Sequence, residues 1–162
     1  MRKIYCDIRK CLSCRSCEIA CAVQHSRSGN LLQALFEEPL PGHLVKIDPS
    51  KIGPFPIRCH HCEEARCIDA CKTGATHRDP KTGKVLIDTN KCVGCWMCVM
   101  VCPFGAVFPN MKTKKAMKCD LCEGHESPAC VSACPTGALH WTEFTEFEAN
   151  YKRARIYSEN KA

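Results

Sequence analysis

The chain has 162 residues, a formal charge of +6, 7% aromatic residues and 17 cysteines. That length suits one compact domain or two very small ones, and so few aromatics leave a thin conventional core. No run of about 18 apolar residues is present to span a membrane, and the N-terminus carries no apolar or twin-arginine export signal, so the cysteines are expected to hold metal in a reducing cytoplasm rather than to form disulfides.

Residues 3–8 alternate Ile4, Cys6 and Ile8 on one face and predict a short half-buried strand. Cys6 stands outside every later cysteine group. It is read as a small buried apolar side chain, with a redox thiol or a replacement ligand as the alternatives. The first quartet is Cys11, Cys14, Cys17 and Cys21, spaced x2, x2, x3 without a trailing proline, and a helix can run on past Cys21 to His25. Residues 26–30 break it. One or two helical turns are expected at 31–36, a turn at 39–42 and a strand at 43–48. Residues 22–58 therefore read as an insertion that covers a metal site.

The second quartet is Cys59, Cys62, Cys67 and Cys71, spaced x2, x4, x3. His60 and His61 are read as loop residues flanking the site, because four thiolates already satisfy an iron cube; ligand or proton-coupled roles are the alternative. Gly74 ends the turn after Cys71, 79–83 is a turn and 84–88 a returning strand. The third quartet, Cys92, Cys95, Cys98 and Cys102 followed by Pro103, has the C-x2-C-x2-C-x3-C-P spacing by which bacterial ferredoxins hold cubane clusters. Residues 111–118 form a basic linker, read as a solvated loop, with a docking surface for an acidic partner as the alternative. The fourth quartet is Cys119, Cys122, Cys130 and Cys134, with seven residues between its second and third cysteines and Pro135 after its last. Gly-Ala recurs at 74–75, 105–106 and 137–138, each time after two residues that follow a fourth cysteine, which marks an internal repeat. The tail, 143–162, has Phe144, Phe147, Tyr151 and Ala154 at helical spacing and Thr145 and Glu148 placed as a capping box. Its aromatic stripe is read as packing on the domain, with docking to a neighbouring subunit as the alternative.

In C-x2-C-x2-C the backbone winds around one corner of a cube, and the intervening N–H groups point at the sulfurs. The cysteine four residues on faces away and, in two-cluster ferredoxins, ligates the other cluster. Two quartets thus make two neighbouring clusters. Zinc sites pair two knuckles across a longer gap, whereas here each knuckle has its own third and fourth cysteine, so iron–sulfur is preferred to zinc. An oxidised cube with four thiolates adds roughly −2, so four of them take +6 to about −2 and remove the case for nucleic-acid binding. Electron transfer needs no acid, base or nucleophile, and no catalytic residue is assigned.

With these motifs the sequence resembles the four-cluster ferredoxin-like electron-transfer subunits of anaerobic oxidoreductases. The stretch from Cys14 to Ser26 looks most like the iron–sulfur protein associated with carbon monoxide dehydrogenase. Small subunits of tungsten aldehyde oxidoreductases and of formate hydrogenlyase-type complexes are similar. The resemblance covers 1–142 and leaves 143–162 as a separate tail. It implies an α+β fold of tandem ferredoxin-like dicluster modules with short hairpins and helices, plus a C-terminal helix. It also implies that the first quartet pairs with the fourth and the second with the third. One cluster would take Cys11, Cys14, Cys17 and Cys134; its neighbour Cys119, Cys122, Cys130 and Cys21; a third Cys59, Cys62, Cys67 and Cys102; a fourth Cys92, Cys95, Cys98 and Cys71. The pair built on the second and third quartets would sit mid-wire between the outer two clusters. Some relatives replace the second cysteine of the third quartet by tryptophan and hold three irons there; Cys95 is kept here, so four [4Fe–4S] cubes are expected. The seven-residue gap in the fourth quartet is shorter than in many molybdenum-enzyme relatives.

The function implied is a non-catalytic relay of single electrons. It would run between a catalytic subunit (a tungsten or molybdenum aldehyde or formate oxidoreductase, carbon monoxide dehydrogenase or hydrogenase) and a second redox protein such as a flavin or NAD subunit. Self-assembly through the tail is a further expectation. A free diffusible polyferredoxin is the alternative, and a zinc-structured interaction module the less favoured one.

Overall fold

A computed structural model describes residues 1–48 and 54–159, and side chains as far as residue 152, so the surroundings of Ala154 lie outside the described residues. The strands are short and pair only in antiparallel twos. β1 (Lys3–Cys6) pairs with β8 (Leu139–Thr142), β2 (Val45–Asp48) with β3 (Phe55–Arg58), β4 (Thr76–Arg78) with β5 (Val85–Ile87), and β6 (Val107–Asn110) with β7 (Lys115–Lys118). Between them lie α1 (Ser16–Gln24), α2 (Leu31–Ala34), α3 (Arg66–Asp69), α4 (Met97–Val101), α5 (Ala129–Ser132) and α6 (Phe144–Glu159). This is a small α+β fold of hairpins and short helices. Among the described residues, no helix is long and apolar enough to cross a membrane.

The β1–β8 pair sets the layout. Ile4 faces Trp141 and Cys6 faces Leu139, so the start of the chain is closed by its last strand. That pairing brings α1 against α5 and so sets the first quartet beside the fourth. Helix α3 packs on α4, which sets the second beside the third. Two apolar cores result. One holds Ile4, Cys17, Cys21, Val45, Ile47, Cys119, Leu121, Cys130 and Leu139; the other holds Ala75, Cys92, Cys98, Val107 and Ala116. The second core is built largely of alanine, valine and cysteine. So little apolar area at roughly 25 cal/mol per Å2 stabilises weakly, and order in this region leans on what the cysteines bind.

Several elements differ from the sequence expectation. The first strand stops at Cys6, because the Asp7 carboxylate accepts from Arg9 N–H at 3.2 Å and starts a 3-10 turn over Ile8–Lys10. Ile8 therefore turns outward, 46% exposed, instead of joining Ile4. The insertion carries an unforeseen second strand, β3, paired with β2; it is anchored to α1 where Ile47 N–H donates to the buried Glu18 carboxylate at 2.6 Å. Half of the basic linker is strand β7, with Ala116 and Lys118 facing inward while Lys112 and Lys114 stay exposed. Helix α6 starts at Phe144, ahead of Thr145, so the Thr145–Glu148 capping box is not made; instead Thr142 Oγ1 hydrogen-bonds the Glu146 carboxylate.

The aromatic stripe of α6 lies on the chain's own sheet. Phe147 stacks on Tyr5 with centroids 5.0 Å apart and meets His140 at 5.5 Å and Tyr151 at 5.9 Å; the Arg9 guanidinium lies 4.3 Å over the Tyr151 ring. Phe147 is half-buried, so Phe147→Ala is expected to cost about 2 kcal/mol. The apparent Tm should fall in a thermal melt followed by circular dichroism, while iron per chain stays at the wild-type level.

Candidate metal centres

All four cysteine quartets open on the same loop conformation. The residue before each second cysteine has positive φ: Ser13 at 55°, His61 at 48°, Gly94 at 71° and Leu121 at 63°. In the first and third quartets the residue after that cysteine does so too, Arg15 at 60° and Trp96 at 63°. Left-handed backbone is uncommon for serine, histidine, leucine or tryptophan, and such strain persists only where the surroundings impose it. Alternating hands of backbone turn successive N–H groups to one side, which makes a concave nest for an anion. Only one of the four loop positions is glycine, and there the reason is contact. A Cβ on Gly94 would collide with the carbonyl oxygen of Lys114 in the β6–β7 turn.

The fourth cysteines share a second device. Each Sγ accepts one backbone N–H: Cys71 from Thr76 at 3.3 Å, Cys102 from Ala106 at 3.4 Å, Cys134 from Ala138 at 3.3 Å and Cys21 from Leu44 at 3.2 Å. For the first three, the Gly-Ala repeat supplies it. The glycine N–H bonds back to the cysteine carbonyl at 3.2 Å, its left-handed φ of 58–65° reverses the chain, and a following N–H then meets the sulfur. Cys21 has no such turn, since α1 continues through it, and the insertion provides Leu44 instead. Burial raises the Cys71 thiol, but donors from Thr76 and Thr73 outweigh it and bring it down to about 7. These are the hydrogen bonds that stabilise a thiolate.

Thiols of different quartets come together. Cys11, Cys14, Cys17 and Cys134 line one cavity, with Cys6 at its edge. Cys59, Cys62, Cys67 and Cys102 line another, closed by His60 and Phe104 with ring centroids 4.4 Å apart. Cys130 is pushed up first by burial and then by Cys119, Cys21 and Cys122. Cys98 is raised by burial and then by Cys92, Cys71 and Cys95. Four ionised sulfurs this close need a cationic core to offset them. Cys6 is half-buried in β1, pushed up to about 12 by burial and then by Cys11. Thiols of the first and fourth quartets share one core, those of the second and third flank the other, and Cys59 packs into the first.

Polar groups invisible to motif reading surround these sulfurs. His61 is 1% exposed; its Nδ1 accepts from Val85 N–H at 3.0 Å, and burial pushes it down to about 3, so it is a neutral core group. His25, one helical turn past Cys21, donates to Asp120 at 3.1 Å and to the Cys21 carbonyl at 2.7 Å, and is raised to about 11 by Asp120 first and Cys21 next. Ligand atoms of His25, Asp120 and Cys122 lie within 4.8 Å of one another, so an imidazolium abuts the Cys119–Cys122–Cys130–Cys21 group. The i, i+4 spacing of Cys21 and His25 was the available sequence signal. Arg78 from β4 donates to the Cys62 and Glu63 carbonyls at 2.6 Å, fixing the second loop. Buried Arg58 Nε and His61 Nε2 have no protein acceptor, and both flank Cys59. Cavities lined by four thiols, with a backbone N–H aimed at each fourth sulfur, are the donor set that a [4Fe–4S] cluster takes, so the residues present fit such clusters.

Loops of this kind, with cysteines in groups of four, define an iron–sulfur protein of the ferredoxin type. Residues 51–144 match the 4Fe-4S dicluster domain and residues 9–24 a 4Fe-4S binding domain. The chain is similar to an iron-sulfur protein of Rhodospirillum rubrum, 38% identical over 94% of this chain and 87% of that one. It is also similar to the electron transport protein HydN of Escherichia coli, 39% identical over 85% and 86%. A third relative is the thiosulfate reductase electron transfer subunit PhsB of Salmonella typhi, 34% identical over 88% and 76%. The chain belongs to this family of 4Fe–4S electron-transfer subunits, and is itself a non-catalytic electron carrier that binds iron–sulfur clusters.

The loops make two glycines diagnostic. Gly105→Ala meets nothing within 4 Å and should cost only the left-handed backbone penalty, about 1–2 kcal/mol, with iron retained. Gly94→Ala, which must displace the Lys114 backbone, should lose iron from the Cys92–Cys98 loop. Iron assay of the two purified variants side by side checks the contrast; equal iron in both would refute it.

Proposed function

We propose that the chain carries four [4Fe–4S] clusters and relays single electrons between a catalytic oxidoreductase subunit and a second redox protein. The ligand sets are Cys11, Cys14, Cys17 and Cys134; Cys119, Cys122, Cys130 and Cys21; Cys59, Cys62, Cys67 and Cys102; and Cys92, Cys95, Cys98 and Cys71. The observation that carries this reading is that every fourth cysteine takes its own backbone N–H, and that Cys134 and Cys102 line cavities together with three thiols of another quartet. Residues 1–142 form the interleaved cluster-bearing unit and 143–162 its tail. Bound clusters supply one-electron capacity. The chain's part is to hold sulfurs as thiolates, exclude water from them and set groups close enough for outer-sphere transfer.

Two exposed cysteines fit entry and exit points. Cys14 is exposed near exposed Leu12, and Cys95 near exposed Val93, each in a different pair of quartets. A catalytic partner is supported by the relative PhsB, named as the electron transfer subunit of a thiosulfate reductase. A tungsten, molybdenum, carbon monoxide or hydrogen enzyme is the class we favour, with a flavin or NAD protein as the second partner. Seventeen unpaired cysteines suit a reducing cytoplasm. Self-assembly, if the tail serves it, falls to the faces of α6 that Tyr5 and His140 do not cover.

Iron assay and EPR of the dithionite-reduced chain test the reading: about sixteen irons per chain and four reducible centres are expected. Cys95→Ser should perturb one centre and leave at least two intact. Zinc in place of iron, or fewer than four reducible centres in fully loaded protein, would overturn the reading. Chelator stripping should abolish the compact fold along with the visible absorption, read by circular dichroism.

A further inference from the structure

Two cations are buried immediately before the first cysteines of the second and fourth quartets. Lys118 and Arg58 are each only 5% exposed. Lys118 ends β7, one residue before Cys119, yet its ammonium reaches the other pair: Nζ lies 3.2 Å from Cys59 Sγ, 3.3 Å from the Cys119 carbonyl, and bonds the Val85 carbonyl. Arg58 ends β3, one residue before Cys59; burial pushes its guanidinium down, and the charges of nearby thiols, Cys119 and Cys130 first, oppose that. It bonds the Ile4 carbonyl, and among the described residues its Nε has no protein acceptor. Each cation thus precedes the first cysteine of a quartet, and Lys118 touches a sulfur of the other pair. Among the described residues no carboxylate pairs with either one, so their counter-charge is sulfur. A charge persists in the interior only where it is paired.

We propose that Lys118 and Arg58 form a cationic junction that tunes the Cys59 and Cys119 groups and makes the seam between them the crossing point for electrons. The proposal rests on the four-cluster reading. Clusters of like charge repel across such a seam; fixed positive charge relieves that repulsion and favours added negative charge, so it raises the reduction potentials of the groups it touches. Each crossing oxidises one group by one electron and reduces its neighbour by one, and no proton is required. Lys118 and Arg58 are positioning residues here, since they act through the sulfurs they hold.

The test is a potentiometric EPR titration of the full chain carrying Lys118→Gln or Arg58→Gln, beside Lys118→Arg, which keeps the charge. With iron at the wild-type level, the Gln variants should shift two of the four midpoints to more negative values and leave the other two in place. Lys118→Arg should titrate like the wild type. Unchanged midpoints, or an equal shift of all four, would overturn the junction. Loss of iron in both Gln variants would assign the cations to folding alone and overturn it too. A wild-type chain with fewer than four centres defeats the four-cluster reading instead, and the junction is then judged on the Cys59 and Cys119 centres.

Discussion

Sulfur charge is the constraint around which this chain is built. Of its 17 cysteines all but Cys6 fall into quartets, and ionising them places more negative charge inside a 162-residue chain than an apolar interior tolerates. Three compensations are visible. Left-handed residues in the loops turn N–H groups inward, one N–H is aimed at each fourth cysteine, and cations stand in the interior at Lys118 and Arg58. The formal +6 is therefore partly an internal quantity. Two of its cations never reach solvent, and a surface-charge argument that counts them misreads the molecule.

The same requirement is met by different means at the one place where the repeat fails. After Cys71, Cys102 and Cys134 a glycine turn returns the chain to the sulfur. After Cys21 the helix runs on to Gln24, and the donor comes from Leu44, more than twenty residues away. That makes the insertion a working part of the first quartet. Its hairpin is held by the Glu18 carboxylate on the buried face of α1, so helix, sulfur and strand β2 form one unit. The tail plays a comparable part on the far side, where α6 lays its aromatic rings over the β1–β8 pair that closes the chain.

Much of this was legible in the residues. Cysteine spacing and the Gly-Ala repeat carry short-range geometry, so the quartets, the turns and the strands at 84–88 and 43–48 could be read directly. What escaped reading depends on partners far away in sequence. Strand β3, Phe-Pro-Ile-Arg, lacks a polar/apolar alternation, because its charged end, Arg58, points into the protein. Strand β7 looked like a solvated basic run for the same reason, since Lys118 occupies an inward position usually given to an apolar side chain. Ile8 went the other way, losing its place on the strand face to the Asp7 turn. In each case local pattern was overruled by a charge or cap whose partner the pattern does not contain.

The positions of the two buried cations follow from the path of the chain. Arg58 immediately precedes the second quartet and Lys118 follows the third and immediately precedes Cys119, so the two residues bracket the span that holds the second and third quartets. The strands inside that span, β4 with β5 and β6 with β7, pair across short turns, whereas β1 must wait for β8, with Ile4 and Trp141 at opposite ends of the chain. Local pairs close at small entropic cost, and the outer closure is long-range. The span bracketed by the two cations is thus held by local pairs, while the two cations supply counter-charge to sulfurs on either side of it, so local pairing and charge compensation meet at the same two positions.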